Sequence, residues 1–284
     1  MRKLIAALFA LPLAGLQAQP LVNSFDDIQF WAGSGTNRAA LLFQWNDGNT
    51  PVSLAWGFRW NGNATGIDML MAIAGSTTIE DEFGEPLGST NGTDSRLKLG
   101  LIGYSFGKSV FSVAFSPTGG TTRSRSDWIS GYWQYLIRGG DFEYTDWGAT
   151  EPSRYNVPGS PLYAPNSWFS SPIGAGDRTL INGAWDAYSF APQFAVQPVV
   201  QPSAAPLPKP AVTCSMVAGQ PNIAFTGEVG FFYTLQVSSH PSGPWTSTGS
   251  PLPGNGGSIV FVDQIPSAGA ERPANRFYRI AVSR

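Results

Sequence analysis

The side chains best equipped for chemistry in this sequence are carboxylates: Asp68, Glu80, Asp81, Glu82, Asp141, Glu143, Asp146, Glu151 and Asp186. Two such groups about 5–10 Å apart suffice to cleave a glycosidic bond, one donating a proton while the other acts as base or nucleophile. Spacing along the chain does not say which of them face one another. Asp68 has a simpler use at a helix start, and "EDE" at 80–82 reads as a solvated loop or, alternatively, a calcium site. Histidine chemistry has little material, because His240 is the single histidine. A Ser-His-Asp set or a His-based metal site therefore lacks partners. "GSGTNR" at 33–38 has glycines but neither a following helix nor a phosphate-binding lysine, so it reads as a hairpin turn. No catalytic residue, metal ligand or cofactor is assigned from sequence.

Aromatics give the stronger signal. "AWGFRWNG" at 55–62 alternates so that Trp56, Phe58 and Trp60 share one side of a strand, while Gly57, Arg59 and Asn61 share the other. The aromatic row is expected to be mostly core. Arg59 either grips a ligand, by a bidentate hydrogen bond or by stacking on a ring, or pairs with Asp47 or Asp68. Further along, Trp128, Tyr132, Tyr135, Trp147, Tyr155, Tyr163, Trp168 and Tyr188 sit among Gly, Ser, Asn and Asp and read as loop-borne. Flat apolar faces beside amides and carboxylates suit sugar rings or a planar macrocycle. The predicted ligand-binding set is Arg59, Trp128, Tyr132, Tyr135, Trp147, Trp168 and Tyr188.

The elements that must position these residues follow from composition and punctuation. With 33 Gly, 23 Pro and 13% aromatics, the chain has the make-up of a turn-rich β protein. "IQFWAGSG", "AALLFQWNDG" and "VSLAWGFRWNG" read as successive strands. "TGIDMLMAIAG" predicts one short helix, with Thr65 as N-cap, Asp68 completing a capping box and Gly75 as the stop. Residues 151–176 are expected to form a long surface loop. "VQPVVQPSAAPLPKPA", 196–211, removes backbone donors and predicts a semi-rigid linker. Nine of the ten tryptophans precede it. The expected fold is mainly β: an aromatic-rich antiparallel β-sandwich over 19–195 with one short helix, the linker at 196–211, and a small C-terminal immunoglobulin-like β-sandwich at 212–284.

Residues 1–18 read as a secretory signal peptide, with Arg2 and Lys3 ahead of "LIAALFALPLAGL" and a small residue at Ala18. No segment has the run of about 18 apolar residues that a membrane-spanning helix needs. The lone Cys214 leaves no internal disulfide, which favours a bacterial exporter as the source. Net charge is −2 and only 13% of residues are charged, which argues against a nucleic-acid partner.

Two resemblances add to this reading. "WNDG", "AWGFRWNGNATGIDMLMAI", "GYWQYL" and "NGAWDAYSFAP" resemble a group of uncharacterised exported bacterial proteins sorted to the cell surface, over most of residues 28–194. Where that pattern has an acid after the second Trp and a Trp near the end, this chain has Asn61 and Tyr188. The resemblance implies export but no chemistry. "YTLQVSS", "GPW", "FVD" and "RFYRI" are similar to small C-terminal modules of exported bacterial proteins, which implies a spacer or envelope-attachment role. The expectation is a secreted or cell-surface, non-catalytic protein that binds an extracellular glycan or small molecule through exposed aromatics. A tetrapyrrole-binding protein (haem or corrinoid), a carboxylate glycosidase and a purely structural surface protein stand as alternatives.

Overall fold

A computed structural model describes residues 20–105, 107–117, 120–138, 142–144, 153–155, 168–263 and 275–284, with backbone alone at 142–144 and 153–155. The predicted signal segment lies outside the described residues. The chain divides into two compact units, with the break between Pro206 and Leu207.

In the first unit the strands are β1 (Trp31–Gly33), β2 (Asn37–Gln44) and β3 (Ser53–Trp60), followed by helix α1 (Gly66–Ile73). Then come β4 (Ala74–Asp81), β5 (Pro86–Thr90), β6 (Asp94–Tyr104), β7 (Gly107–Phe115), β8 (Arg123–Ser126) and β9 (Gly131–Arg138). The short pieces β10 (Phe142–Tyr144), β11 (Ser153–Tyr155) and β12 (Phe169–Ser170) precede β13 (Ala184–Pro192) and β14 (Ser203–Ala204). A seven-stranded sheet runs β3-β2-β13-β9-β12, with β1 and β14 sharing the free edge of β3. A five-stranded sheet runs β5-β4-β6-β7-β8, and β10 and β11 form a separate ribbon.

The two larger sheets pack through aromatic side chains. Trp45 Nε1 donates to the Val113 carbonyl of β7 at 3.3 Å, and Trp56 Nε1 donates to Asp94 of β6 at 2.8 Å. Phe43, Trp45, Trp56 and Phe115 are all at most 1% exposed. Their rings meet at 5.4–6.4 Å, mostly tilted or edge-on, the arrangement that the ring quadrupole prefers. A sandwich is thus the architecture, but its sheets are mixed rather than purely antiparallel, because β1–β3, β2–β13, β14–β3 and β4–β6 pair parallel. Period-2 patterning cannot distinguish these cases, since it fixes which face a side chain takes and not the direction of its neighbour.

The far face of the seven-stranded sheet is also covered. Ala40, Leu42, Ala55, Leu136, Trp185 and Ala187 lie beneath Val22, Ile28 and Ala204, with Phe25, Trp31, Trp168 and Val199 packed on them. Sheets buried on both faces read as near-continuous apolar runs, which explains "AALLF" in β2. Gly57 serves this packing directly. A Cβ there would lie 2.3 Å from the Trp31 ring, so only glycine lets the indole lie flat on the strand.

Three expectations are corrected here. The Pro-rich stretch is not a free linker over its first part. Ala204 and Ala205 are fully buried, Gln44 Nε2 donates to the Pro198 carbonyl at 2.9 Å, and the Val200 N–H donates to Gln44 Oε1 at 2.9 Å. Prolines fit because an edge piece needs few donors, and Ala204 N–H still reaches the Pro20 carbonyl at 2.9 Å. "GSGTNR" does not form a hairpin; it arches over the end of β3 to join β1 to β2 across it. A Cβ on Gly35, at φ +145°, would fall 2.2 Å from the Trp60 carbonyl. Helix α1 does carry the Thr65–Asp68 capping box, with the Thr65 N–H on Asp68 Oδ2 at 2.8 Å. It ends without a left-handed glycine, however, because Ala74 is extended and begins β4. Gly75 is required instead by β6, whose Asp94 carbonyl oxygen would stand 2.4 Å from its Cβ.

The second unit holds β15 (Thr213–Val217), β16 (Gln220–Thr226), β17 (Phe232–Ser238), β18 (Thr246–Pro253), β19 (Ser258–Val262) and β20 (Phe277–Ser283). They form two three-stranded sheets, β15-β16-β19 and β18-β17-β20, with antiparallel pairing throughout. Ile223, Phe225, Phe231, Tyr233, Leu235, Ile259 and Phe261 fill the core. Asp263 accepts from Arg276 and from the Tyr278 hydroxyl, which ties the end of β19 to the start of β20.

Candidate functional site

Most of the aromatic signal belongs to the core. Trp56, Phe58 and Trp60 are at most 6% exposed, and the Phe58 and Trp60 rings stack at 5.4 Å and 9°. Arg59, on the opposite face, pairs with neither Asp47 nor Asp68. Its guanidinium lies 4.5 Å from the Trp31 ring centroid, a cation–π contact. Asp47 is taken by Arg123, whose Nε and second nitrogen reach it at 2.9 and 2.5 Å, while Asp68 serves the helix cap. Burial alone would raise the Asp47 carboxyl, but hydrogen bonds from Arg123 and Asn49 hold it down at about 2.

Three other predicted site residues are also removed from the surface or half-hidden. Tyr188 is not on a loop; it lies in β13, 4% exposed, and stacks on Tyr135 of β9 at 4.8 Å and 13°. The Tyr135 hydroxyl donates to Asp186 Oδ2 at 2.6 Å, and Arg178 Nε donates to Asp186 Oδ1 at 3.2 Å. Burial pushes the Asp186 carboxyl up, an effect that Arg178 and Tyr135 oppose. This cluster sits against the start of α1, where a Cβ on Gly66 would be 3.0 Å from both Asp186 Oδ2 and the Tyr135 hydroxyl. With Asp186 at 1% and Arg178 at 0% exposure, it ties strands to helix and does not meet a polymer. Trp168 is half-buried under Arg138, whose guanidinium lies 5.0 Å from its ring and 4.7 Å from that of Trp185. Trp147, Tyr163 and the side chain of Tyr155 lie outside the described residues, as do the side chains of Asp141, Glu143, Asp146 and Glu151.

Two predicted residues remain on the surface and come together with two that sequence reasoning passed over. The turn Asp127–Ser130, which carries the chain from β8 of the five-stranded sheet to β9 of the seven-stranded sheet, presents Trp128 at 61% and Ile129 at 94% exposure. Trp128 adopts φ +72°, a left-handed conformation that a bulky residue enters only when the surroundings impose it. Its N–H donates to the Gly131 carbonyl at 2.8 Å, and the Gln193 N–H donates to the Ser130 carbonyl at 2.7 Å. The second of these bonds brings in the turn after β13, where Gln193 and Phe194 also have positive φ, +53° and +63°. Phe194, 53% exposed, stacks on Tyr132 with centroids 6.2 Å apart and planes at 23°. Gly131 permits the approach, because a Cβ there would lie 2.2 Å from the Ala191 carbonyl oxygen. Ser126, Ser130 and Gln193, next to these aromatics in the chain, are exposed and offer two hydroxyls and an amide.

The root of this turn is a buried carboxylate. Asp127 is 4% exposed, and its Oδ1 accepts the Trp133 N–H at 2.7 Å. Burial pushes it up to about 7, against the opposing pull of that N–H. "SDWISGYW" carries the turn signal in its Asp, Ser and Gly. A left-handed tryptophan leaves no mark in the sequence, and nor does contact between residues 128–132 and 194.

Among the described residues, no three His, Cys, Asp or Glu side chains gather into a metal-binding group. A cavity of about 520 Å³ in the second unit is lined by Leu235, Thr248, Leu252, Phe261, Asp263 and Arg276 among others. Its charged groups already satisfy each other, whereas the turn at 127–130 offers unsatisfied apolar area. Comparison of the chain with protein-family models, curated proteins and solved structures finds no match, so the reading rests on this geometry.

Proposed function

We propose that the first unit is a non-catalytic binding module for an extracellular polysaccharide, and that Trp128, Ile129, Tyr132 and Phe194 make the contact. The observation that carries this reading is Trp128, held 61% exposed on left-handed backbone and flanked in the chain by the exposed Ser126 and Ser130. Ordinary cores hide tryptophan, as this protein does with Trp45 and Trp56. A rigid turn that spends backbone strain to keep an indole in water favours a face-on partner. A sugar ring fits, because its C–H face covers the indole while its hydroxyls meet Ser126, Ser130 and Gln193.

The observations weigh against the rival ligands. A tetrapyrrole needs an axial ligand; the single histidine is in the second unit, and on α1 Met69 is fully buried and Met71 partly so. Of the acids that a glycosidase could use, Asp186 is buried in a bonded cluster and Asp68 serves the helix cap. Export to the cell surface, with the second unit as an envelope-associated spacer, belongs to the same proposal.

The test is co-sedimentation of the full chain with insoluble polysaccharides, alongside tryptophan-fluorescence titration with soluble glycans, haem and cobalamin. Saturable binding of a polysaccharide that Trp128→Ala abolishes supports the reading. Binding of none of them moves the assignment to a structural surface protein, and binding of haem or cobalamin alone moves it to a tetrapyrrole carrier.

A further inference from the structure

The aromatic patch is built on a titratable group that the binding reading does not use. Asp127 starts the turn that holds Trp128 and Ile129, and its backbone N–H is fixed to the Phe111 carbonyl of β7 at 2.9 Å. Its carboxyl reaches across the turn to the Trp133 N–H of β9 at 2.7 Å, so a single side chain fastens the crossing from the five-stranded sheet to the seven-stranded one. Among the described residues no cation is paired with it. On β8, Arg123 is engaged by Asp47, and Arg125 by the Trp45 and Asn46 carbonyls and the Phe190 ring. On β9, Tyr132 stacks on Phe194, Tyr135 bonds Asp186, and Arg138 lies over Trp168 and Trp185. On β7, Lys108 is exposed, and on β13, Asp186 and Tyr188 belong to the buried cluster. Among the described residues the carboxyl is therefore buried with one hydrogen bond and no counter-charge.

We propose that Asp127 is a pH-sensitive latch on this patch: the neutral carboxyl stays inside the turn and holds Trp128 in place, and the ionised carboxylate leaves for water and releases the turn. An uncompensated buried charge is far costlier than a neutral acid in the same position, which gives the latch its direction. The direction agrees with the raised position of this acid, about 7, near neutrality. The aromatic face is accordingly presented on the acid side and loosened on the alkaline side. The inference rests on the binding reading only for its consequence, since the release itself needs no ligand.

The experiment follows acrylamide quenching of tryptophan emission in the full chain from about pH 5 to about pH 9. The Trp128→Phe variant measured in parallel isolates the Trp128 contribution. A rise in Trp128 accessibility with a midpoint near pH 7, absent in Asp127→Asn, is the expected result. A flat Trp128 signal overturns the latch, as does a midpoint that Asp127→Asn leaves in place. Should Asp127→Asn not melt cooperatively, carboxyl NMR of the wild-type chain decides instead: an Asp127 midpoint near 7 supports the latch, and one at the ordinary carboxylate value near 4 overturns it. Polysaccharide co-sedimentation over the same range separates the two ideas. Titration of the turn without binding at any pH leaves the latch and removes the carbohydrate reading, while pH-independent binding with a flat turn does the reverse.

Discussion

Trp128 and Asp127 are chain neighbours, one 61% exposed and the other 4%, and their different burial separates recognition from stability. Replacing Trp128 by Ala removes an indole that is 61% exposed and outside the buried core. Thermal unfolding should show a change within about 0.5 kcal/mol, while polysaccharide binding is lost. Asp127 predicts a pH effect of definite sign. Its proton is bound more tightly in the folded protein, about 7, than in an ordinary aspartate at 3.8, so the folded state carries more protons between those values. Stability contributed by Asp127 is therefore present at low pH and is lost as pH rises from 3.8 through about 7; denaturant melts at several pH values should show this slope in wild type and a flatter one in Asp127→Asn. Buried ion pairs behave differently. Arg96 reaches Asp94 at 2.8 and 3.0 Å, with Trp56 Nε1 on the same carboxylate and side-chain exposures of 4% and 0%. Asp94→Ala removes the carboxylate that Arg96 and Trp56 share in the core and should cost about 3–5 kcal/mol in chemical denaturation.

At the scale of elements, the local signals in the sequence were reliable where they rested on local chemistry. "TGID" fixed the start of α1 because a capping box needs only four consecutive residues, and Thr65→Ala should cost about 1 kcal/mol of stability as read by melting. The alternation in "AWGFRW" assigned faces correctly and put Trp56, Phe58 and Trp60 inside. What it could not supply was the neighbour. Arg59 turned to Trp31, not to an acid, because β1 lies parallel to β3 and lays that indole on Gly57. Tyr188 looked loop-borne from the polar residues around it, yet it belongs to a strand whose every residue from Ala184 to Ala191 is buried. The binding patch was half legible. Trp128 and Tyr132 stood out by type and setting, and Ile129 is the chain neighbour of Trp128, whereas Phe194 joins them only through contact between two turns more than sixty residues apart.

For the whole molecule, composition announced a turn-rich β protein, and the structure is mainly β. The boundary moved because proline content reports missing donors and not missing contacts. Residues 198–205 lie along the first unit, with Ala204 and Ala205 wholly buried and Gln44 bonded to Pro198 and Val200. A chain ending at residue 195 should consequently lose cooperative unfolding, or melt well below one ending at 206; differential scanning calorimetry of the two decides. Equal melting of both would mean that the proline-rich stretch adds nothing to the fold. The central claim, that the Asp127–Ser130 turn is a recognition surface, is tested most directly by co-sedimenting wild type and Trp128→Ala with an insoluble polysaccharide panel at mildly acidic pH. The account predicts saturable binding by wild type and none by the variant at unchanged stability. Binding that survives loss of Trp128 would contradict it.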